Sequence, residues 1–339
     1  MGKKKSRIEF IDLFRSFGII LMIMGHIKFG SHFSKWIHAF HMPMFFFVSG
    51  WFYRRTENVS VGQLILRKAK SLLRPYIIFE LFQWLILKPF VFEYRNLQTL
   101  IYMFTEITYK IPIESGTFGI SPIPGAMWFL VAIFLTETIY IVLDTGIKTD
   151  WKLHIAVLIL VACGMLAPSL LSFRLPWALD ASFVGTGFFH LARIIHGSKV
   201  EKIMNLKLWQ SVALGAFFSA LIMSSPVVNM RTGSYGWYLP FWFNSLGTIT
   251  TLWNISRDVE YALKQFANTV GQWLKNIGKN SIVYLCFNQT VILGVTKIMS
   301  EFNISGFIGK ILVLILTLVI LSALEKLIVK TRLKVLIGR

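Results

Sequence analysis

The chain is short of charge, of acid above all, and of cysteine. Only 15% of its 339 residues are Asp, Glu, Lys or Arg, and 16 acids stand against 35 Lys and Arg. Soluble globular domains carry roughly a quarter charged residues, so composition excludes that class. The cysteines, Cys163 and Cys286, fall in separate apolar stretches with no CxxC. Disulfide scaffolds and zinc fingers are excluded with them. No small-residue cleavage site follows the first apolar run, which holds Asp12 and Arg15. It reads as a retained span and not as a signal peptide. Met1-Gly2 with Ser6 opens like a myristoylation signal, but one lipid adds little to a chain with many spans. Internal repeats and an appended soluble domain are also lacking, which weakens an inverted-repeat transporter reading. Residues 1–339 therefore read as a single transmembrane domain with a basic tail at 1–10.

What the sequence has is apolar: 55% hydrophobic residues, 30 of them Phe, and a mean hydropathy of +0.62. This predicts an all-α polytopic membrane protein of about ten helices. The spans fall near 11–29, 37–53, 75–92, 126–144, 154–172, 177–196, 208–225, 237–255, 281–299 and 307–329. Lys and Arg gather before the first span, between Arg54 and Arg74, at 148–152, 199–207 and 257–279, and after Lys326. The positive-inside rule then puts both termini in the cytoplasm of a multi-pass cell-membrane protein. Topology and anionic lipid account for the net charge of +19 without nucleic acid. Within 257–279, Val259, Leu263, Phe266, Val270, Trp273 and Ile277 recur at helical spacing. An amphipathic helix on the inner membrane face is expected there. The last span is uniformly apolar and reads as structural.

The first span carries the unusual residues. Arg15 and His26 are eleven positions apart, almost three turns and about 16 Å on one face. Asp12 lies one turn from Arg15, in reach of it. Ionisable groups at this depth cost roughly 2.5–3.5 kcal/mol each on insertion scales and mark substrate or proton paths. Snorkelling of Arg15 and His26 to opposite surfaces is the plainer alternative; three such groups on one face tell against it. His26 falls in the outer half of the span.

In the second span, His38 and His41 are a turn apart at the level of His26, and Pro43 is placed to open the helix. Ser49-Gly50 permits close approach by a helix or a ligand. The histidines His26, His32, His38 and His41 invite a metal, but no cysteine or carboxylate lies between Lys28 and Trp51, so no metal is expected. Residues 54–75 form the densest basic segment, opening with Arg54 and Arg55 and placing Arg67, Lys70 and Arg74 on one face. Anchoring to anionic headgroups and holding a polyanionic nucleotide both suit it. Glu80 and Glu137 are intramembrane carboxylates, functional candidates or helix ties. Residues 97–125 read as an outer loop over a cavity, Trp128 as an outer-interface anchor, and 226–236 as a polar outer loop. The sixth span holds Asp180, His190 and Arg193.

These stretches resemble the acyltransferase-3 integral-membrane proteins, especially the fucose 4-O-acetylase-like branch. Asp12-Leu13-Phe14-Arg15 with Gly25-His26 matches that family's Arg-x10-His first helix, and Phe40 to Gly50, FHMPMFFFVSG, is similar to the branch's second helix. Arg67 to Tyr76 resembles its basic segment ending in Arg-x-Pro or a close variant. Trp128-Phe129-Leu130 looks like its outer tryptophan motif, and Gly278-Lys279-Asn280-Ser281 like the start of its penultimate helix. Many members carry His about seven residues after that Ser, where this chain has Asn288, so a histidine role there does not carry over.

The resemblance implies transfer of an acyl group, usually acetyl, from cytoplasmic acyl-CoA to a hydroxyl of an envelope glycan, across the lipid bilayer. His26, with a side chain that titrates near neutrality, suits the base, with Arg15 and Asp12 beside it. His38, His41 and Trp128 fall on the acceptor side, and Arg54, Arg55, Arg67, Lys70, Arg74 and Ser49 on the acyl-CoA side. Glu80 and Asn288 are further candidates. Direct transfer and a covalent acyl-His26 intermediate both fit. A non-enzymatic exporter or flippase of a polysaccharide or lipid-linked sugar is the alternative function, using the same polar column as a path.

Overall fold

The computed structural model describes residues 9–56, 59–87, 100–101, 104, 126–171 and 175–338. The basic tail up to residue 8, and the outer loop expected over 97–125 apart from three residues, lie outside the described residues. Helices dominate: α1 (Glu9–Ile27), α2 (Ser31–His38), α3 (His41–Phe52), α4 (Val61–Leu87), α5 (Trp128–Gly146), α6 (Asp150–Leu170), α7 (Leu179–Ile195), α8 (Lys199–Ile203), α9 (Leu208–Ser224), α10 (Tyr238–Phe266), α11 (Asn268–Lys279), α12 (Ser281–Glu301) and α13 (Gly306–Lys330). No strand occurs among the described residues, only one bridge between Asn229 and Ser234.

Helix falls at each of the expected span positions. Among the described residues, five helices, α1, α5, α6, α12 and α13, are long and apolar enough to cross a membrane by themselves. The protein is thus an all-helical, multi-pass membrane protein.

Two expectations need correction. The second span is not one helix: the chain breaks at Ala39-Phe40, between α2 and α3. Pro43 lies in the first turn of α3 and has no N–H for the Ala39 carbonyl four residues before it, so the helix opens there, and that carbonyl accepts instead from the Ser245 hydroxyl at 2.6 Å. The basic segment from Val61 is helical, as the spacing of Arg67, Lys70 and Arg74 implies, and runs unbroken through Pro75 into the third span as α4. The segment 257–279 is not one surface helix either. Its first part extends α10, the chain breaks at Ala267, and α11 packs against α1. Ile277 is fully buried there, whereas Phe266 and Val270 are exposed. The apolar spacing was real, but it served two helices with different neighbours.

α1 is the hub of the bundle, touching α2, α3, α10, α11, α12 and α13. Its Ile11, Leu13, Phe14, Ile19 and Ile23 are buried. The α1–α11 contact depends on Gly278, since a Cβ there would sit 1.7 Å from the Asp12 carbonyl oxygen. An ionic clasp secures the same contact. Lys275, buried on α11, reaches Glu9 at 2.8 Å, and Lys264 reaches Glu9 at 3.3 Å and Glu260 at 2.7 Å. Glu260 beside Lys264 holds that ammonium above its usual range. Gly278→Ala is expected to lower stability by roughly 1–3 kcal/mol, because the obstacle is backbone and cannot rotate away. Thermal unfolding of the purified variant in detergent checks this; an unchanged midpoint would show that α11 is free to shift.

Candidate active site

Asp12 and Arg15 share a face of α1 and pair at 3.9 Å, as their one-turn spacing requires. The Arg15 guanidinium also stands 5.2 Å from the Phe52 ring centre, at the end of α3. Arg15 borders a proximal cavity of about 260 Å³ between α1, α3, α4, α5 and the start of α12, closed in part by Ile337. Its polar lining is Arg15, Ser49, Glu137, Lys279 and Asn280. The Ser49 hydroxyl donates to Glu137 Oε1, and Lys68 Nζ reaches Oε2 at 2.9 Å. One carboxylate therefore links α3, α4 and α5, and its burial is compensated on both oxygens. Beside Ser49, Gly50 faces a neighbouring helix and no cavity: a Cβ there would sit 2.0 Å from the Phe189 carbonyl oxygen of α7.

His26, on the last turn of α1, borders a distal cavity of about 130 Å³. His38, His41, Trp128, Asn229 and Arg231 line it too, with Met22 and Met42 at its floor. His38 and His41 flank the break between α2 and α3, yet their rings meet edge-on at 5.2 Å. His38 Nδ1 lies 2.6 Å from the Ser34 carbonyl and His41 Nδ1 lies 2.7 Å from that of Ile37. A carbonyl only accepts, so both Nδ1 atoms carry hydrogen and both Nε2 atoms are left as acceptors. His26 Nδ1 is 2.9 Å from the Gln289 amide. The nearer atom as placed is the amide nitrogen, a donor to Nδ1; with the amide turned end for end, which its near-symmetric shape permits, its carbonyl accepts from Nδ1–H and leaves Nε2 as the basic nitrogen. Gln289→Leu is expected to lower turnover about tenfold by freeing the ring, with donor KM unchanged. Separate kcat and KM values test it, and a rate equal to wild type would remove Gln289 from the site.

The two cavities adjoin. Ile19 and Phe45 line the proximal one, and Met22 and Met42 the distal one. Each pair is one turn apart on its helix, about 4.5 Å of rise. Trp128 belongs to the distal cavity and its neighbours Phe129 and Leu130 to the proximal one. Phe45 and Phe129 on the proximal side and Met22 and Met42 on the distal side are the side chains at the level between them.

The structure thus gathers His26, His38, His41 and Trp128 in one place, and Arg15 and Ser49 in the other, with Asp12 behind Arg15. It does not bring the remaining candidates there. Arg67 and Lys70 are exposed on α4, Arg74 is half-buried, and none of them lines either cavity. Arg54 donates to the Trp51 and Tyr53 carbonyls at 3.1 and 2.7 Å, and Arg55 is exposed. Glu80 is fully buried on α4, away from both cavities. The Asn288 amide donates to the Leu285 carbonyl of its own helix at 2.7 Å. His32 is exposed, and no group of three or more His, Cys, Asp or Glu suited to a metal occurs among the described residues.

His190 and Arg193 belong to a structural network. Tyr140 meets His190 Nδ1 and His154 meets its Nε2, each at 2.8 Å, while Asp144 binds Arg193 at 3.1 Å and the Tyr53 hydroxyl at 3.0 Å.

Sequence reasoning missed Lys68, Gln289 and Arg231 as individual site residues. Lys68 lies one turn before Leu72, on the buried face of α4, and that periodicity was the available signal. Arg231 lay inside the loop already marked as polar and outer.

No curated protein and no solved structure matches the chain. A family model described as an acyltransferase domain matches residues 8–325, which include Arg15, His26, both cavities' helices and Gln289. By that match, the chain belongs to the acyltransferase-3 family of membrane acyltransferases.

Proposed function

We propose that the protein transfers an acyl group, acetyl in the first instance, from cytoplasmic acyl-CoA to a hydroxyl of an extracytoplasmic envelope polysaccharide or lipid-linked sugar. The observation that carries this is the pair of adjoining cavities on one face of α1, basic at the N-terminal end and histidine-lined at the other. Charge distribution supports a ten-span arrangement with the N-terminal end in the cytoplasm. Arg15, Lys68 and Lys279 then attract the anionic donor at the proximal cavity, and its linear arm points toward His26 between Phe45, Phe129 and Met42. His26 Nε2 takes the proton of the acceptor hydroxyl as its oxygen attacks the thioester carbonyl. The carbon–sulfur bond breaks, and the departing thiolate receives that proton, giving an ester and free coenzyme A. A transient acyl-His26 makes the same demand on this nitrogen. His38, His41 and Trp128 hold the sugar; Trp128 offers a ring face and the two imidazoles offer acceptors for hydroxyl groups.

The exporter alternative finds less support. Sugar units would have to pass the Met and Phe layer, whereas an acyl arm needs only to reach through it. The deciding experiment supplies labelled acetyl-CoA inside proteoliposomes and an envelope glycan outside. Label is expected on the glycan as an alkali-labile ester. Label confined to the donor, with unchanged glycans in cells lacking the chain, would reject the transferase reading.

A further inference from the structure

A further cavity, larger than either the proximal or the distal one, lies apart from them. It measures about 480 Å³, shares no lining residue with the other two, and opens at the N-terminal end of α1 beside Phe10. Its volume falls within the roughly 300–1,000 Å³ of small-molecule sites. Trp51 from α3, Trp253 from α10 and His196 after α7 form its aromatic wall. The Trp51 ring centre lies 4.5 Å from that of His196 and 4.6 Å from that of Trp253. Trp51 is 3% exposed, and its indole N–H has no hydrogen-bond partner. A buried donor left unsatisfied costs roughly 1–3 kcal/mol, so something must repay it.

The rest of the lining is mostly neutral and carries two cations, Lys202 and Arg257, the latter meeting Asp258 at 3.4 Å. Arg257 is held at the wall by Asn205 and by the Leu206 carbonyl at 2.9 Å. Lys202 is exposed and forms no ion pair among the described residues. The acid present, Glu201, is occupied by the Gly197 N–H at 2.6 Å and by His196 at 3.4 Å. An aromatic wall of three tilted rings, an orphaned donor and two cations ask for a planar base that carries phosphate. Base–aromatic stacking contributes about 1–3 kcal/mol, and cations add charge-assisted bonds. A phospholipid headgroup would use the cations and leave the aromatic wall idle.

We propose that this cavity binds a purine nucleotide, its base against the aromatic wall of Trp51, Trp253 and His196 and its phosphates toward Lys202 and Arg257. Two sources share this chemistry: the nucleotide end of the acyl-CoA donor, and a free nucleotide acting as a regulator. The first rests on the proposed function; the second does not.

Titration calorimetry on the full chain in nanodiscs, with adenosine bisphosphate (the nucleotide end of coenzyme A), coenzyme A and ATP, tests it. Two variants keep the fold safe: Lys202→Gln removes an exposed charge, and Trp51→Phe keeps a ring while deleting the N–H. Saturable binding is expected in the wild type, about tenfold weaker in Lys202→Gln and about fivefold weaker in Trp51→Phe. Parallel losses for adenosine bisphosphate and coenzyme A identify the donor's nucleotide end. A loss for ATP with coenzyme A unaffected identifies a regulatory site. Absence of nucleotide binding in the wild type, or equal affinity in both variants, overturns the proposal. The readout is binding alone, so a chain that transfers no acyl group still gives an answer.

Discussion

His26→Ala is expected to lower acyl transfer by about 10²–10⁴-fold, the span usual for losing a general acid–base group. Expression, unfolding midpoint and donor affinity should stay near wild type. The reason is positional. His26 sits at the last turn of α1 against a cavity, so truncation enlarges a space already present and does not hollow out a packed core. The cations of the proximal cavity lie on the other side of the Met and Phe layer and are untouched. His41→Ala should cost less, since its Nδ1–H is committed to the Ile37 carbonyl at 2.7 Å and its remaining nitrogen serves to hold a hydroxyl. Initial rates at saturating donor with a soluble glycan acceptor measure both. If His26→Ala keeps more than about a tenth of wild-type turnover, the missing-base account fails, and His26 merely lines the cavity.

How much of this was legible beforehand follows from the range of each interaction. Spans were readable because an apolar run is a local property, and each expected position does hold helix. The Asp12–Arg15 pair was readable too, being fixed by spacing on one helix. The opening near Pro43 was readable as well, because proline leaves the carbonyl four residues before it without its helical partner; that this carbonyl, of Ala39, would meet Ser245 was not, since Ser245 lies on another helix. The basic face of Arg67, Lys70 and Arg74 was correctly read as a face, but its partner was not. A neighbouring position on the opposite face, Lys68, is the one that reaches Glu137. Gln289 against Asn288 is the same error in its smallest form. Adjacent residues on a helix point about 100° apart; only the placement of α12 against α1 decides which meets His26. Cavities are properties of several helices together, and no window on the sequence contains them.

Phe45→Trp should abolish transfer by another route, with a loss on the order of 10²-fold. Phe45 is half-buried, lines the proximal cavity, and packs against Phe129 at 5.6 Å between ring centres. It therefore stands in the layer that an acyl arm must pass to meet His26. A larger ring there fills the gap, and a displacement of about 1 Å in a reacting group can cost two orders of magnitude. Nothing in the phosphate-attracting cations changes, so coenzyme A affinity is expected to stay within about threefold of wild type. Phe45→Leu gives the opposite geometry: it thins the layer, and turnover should remain within about threefold despite a modest loss of stability. The pair separates blockage from damage, because Leu removes more of the native ring packing than Trp does. Were Phe45→Trp to run at full rate in the proteoliposome assay, the layer between the cavities would not be the route of the acyl group. The two cavities would then have to serve separate purposes.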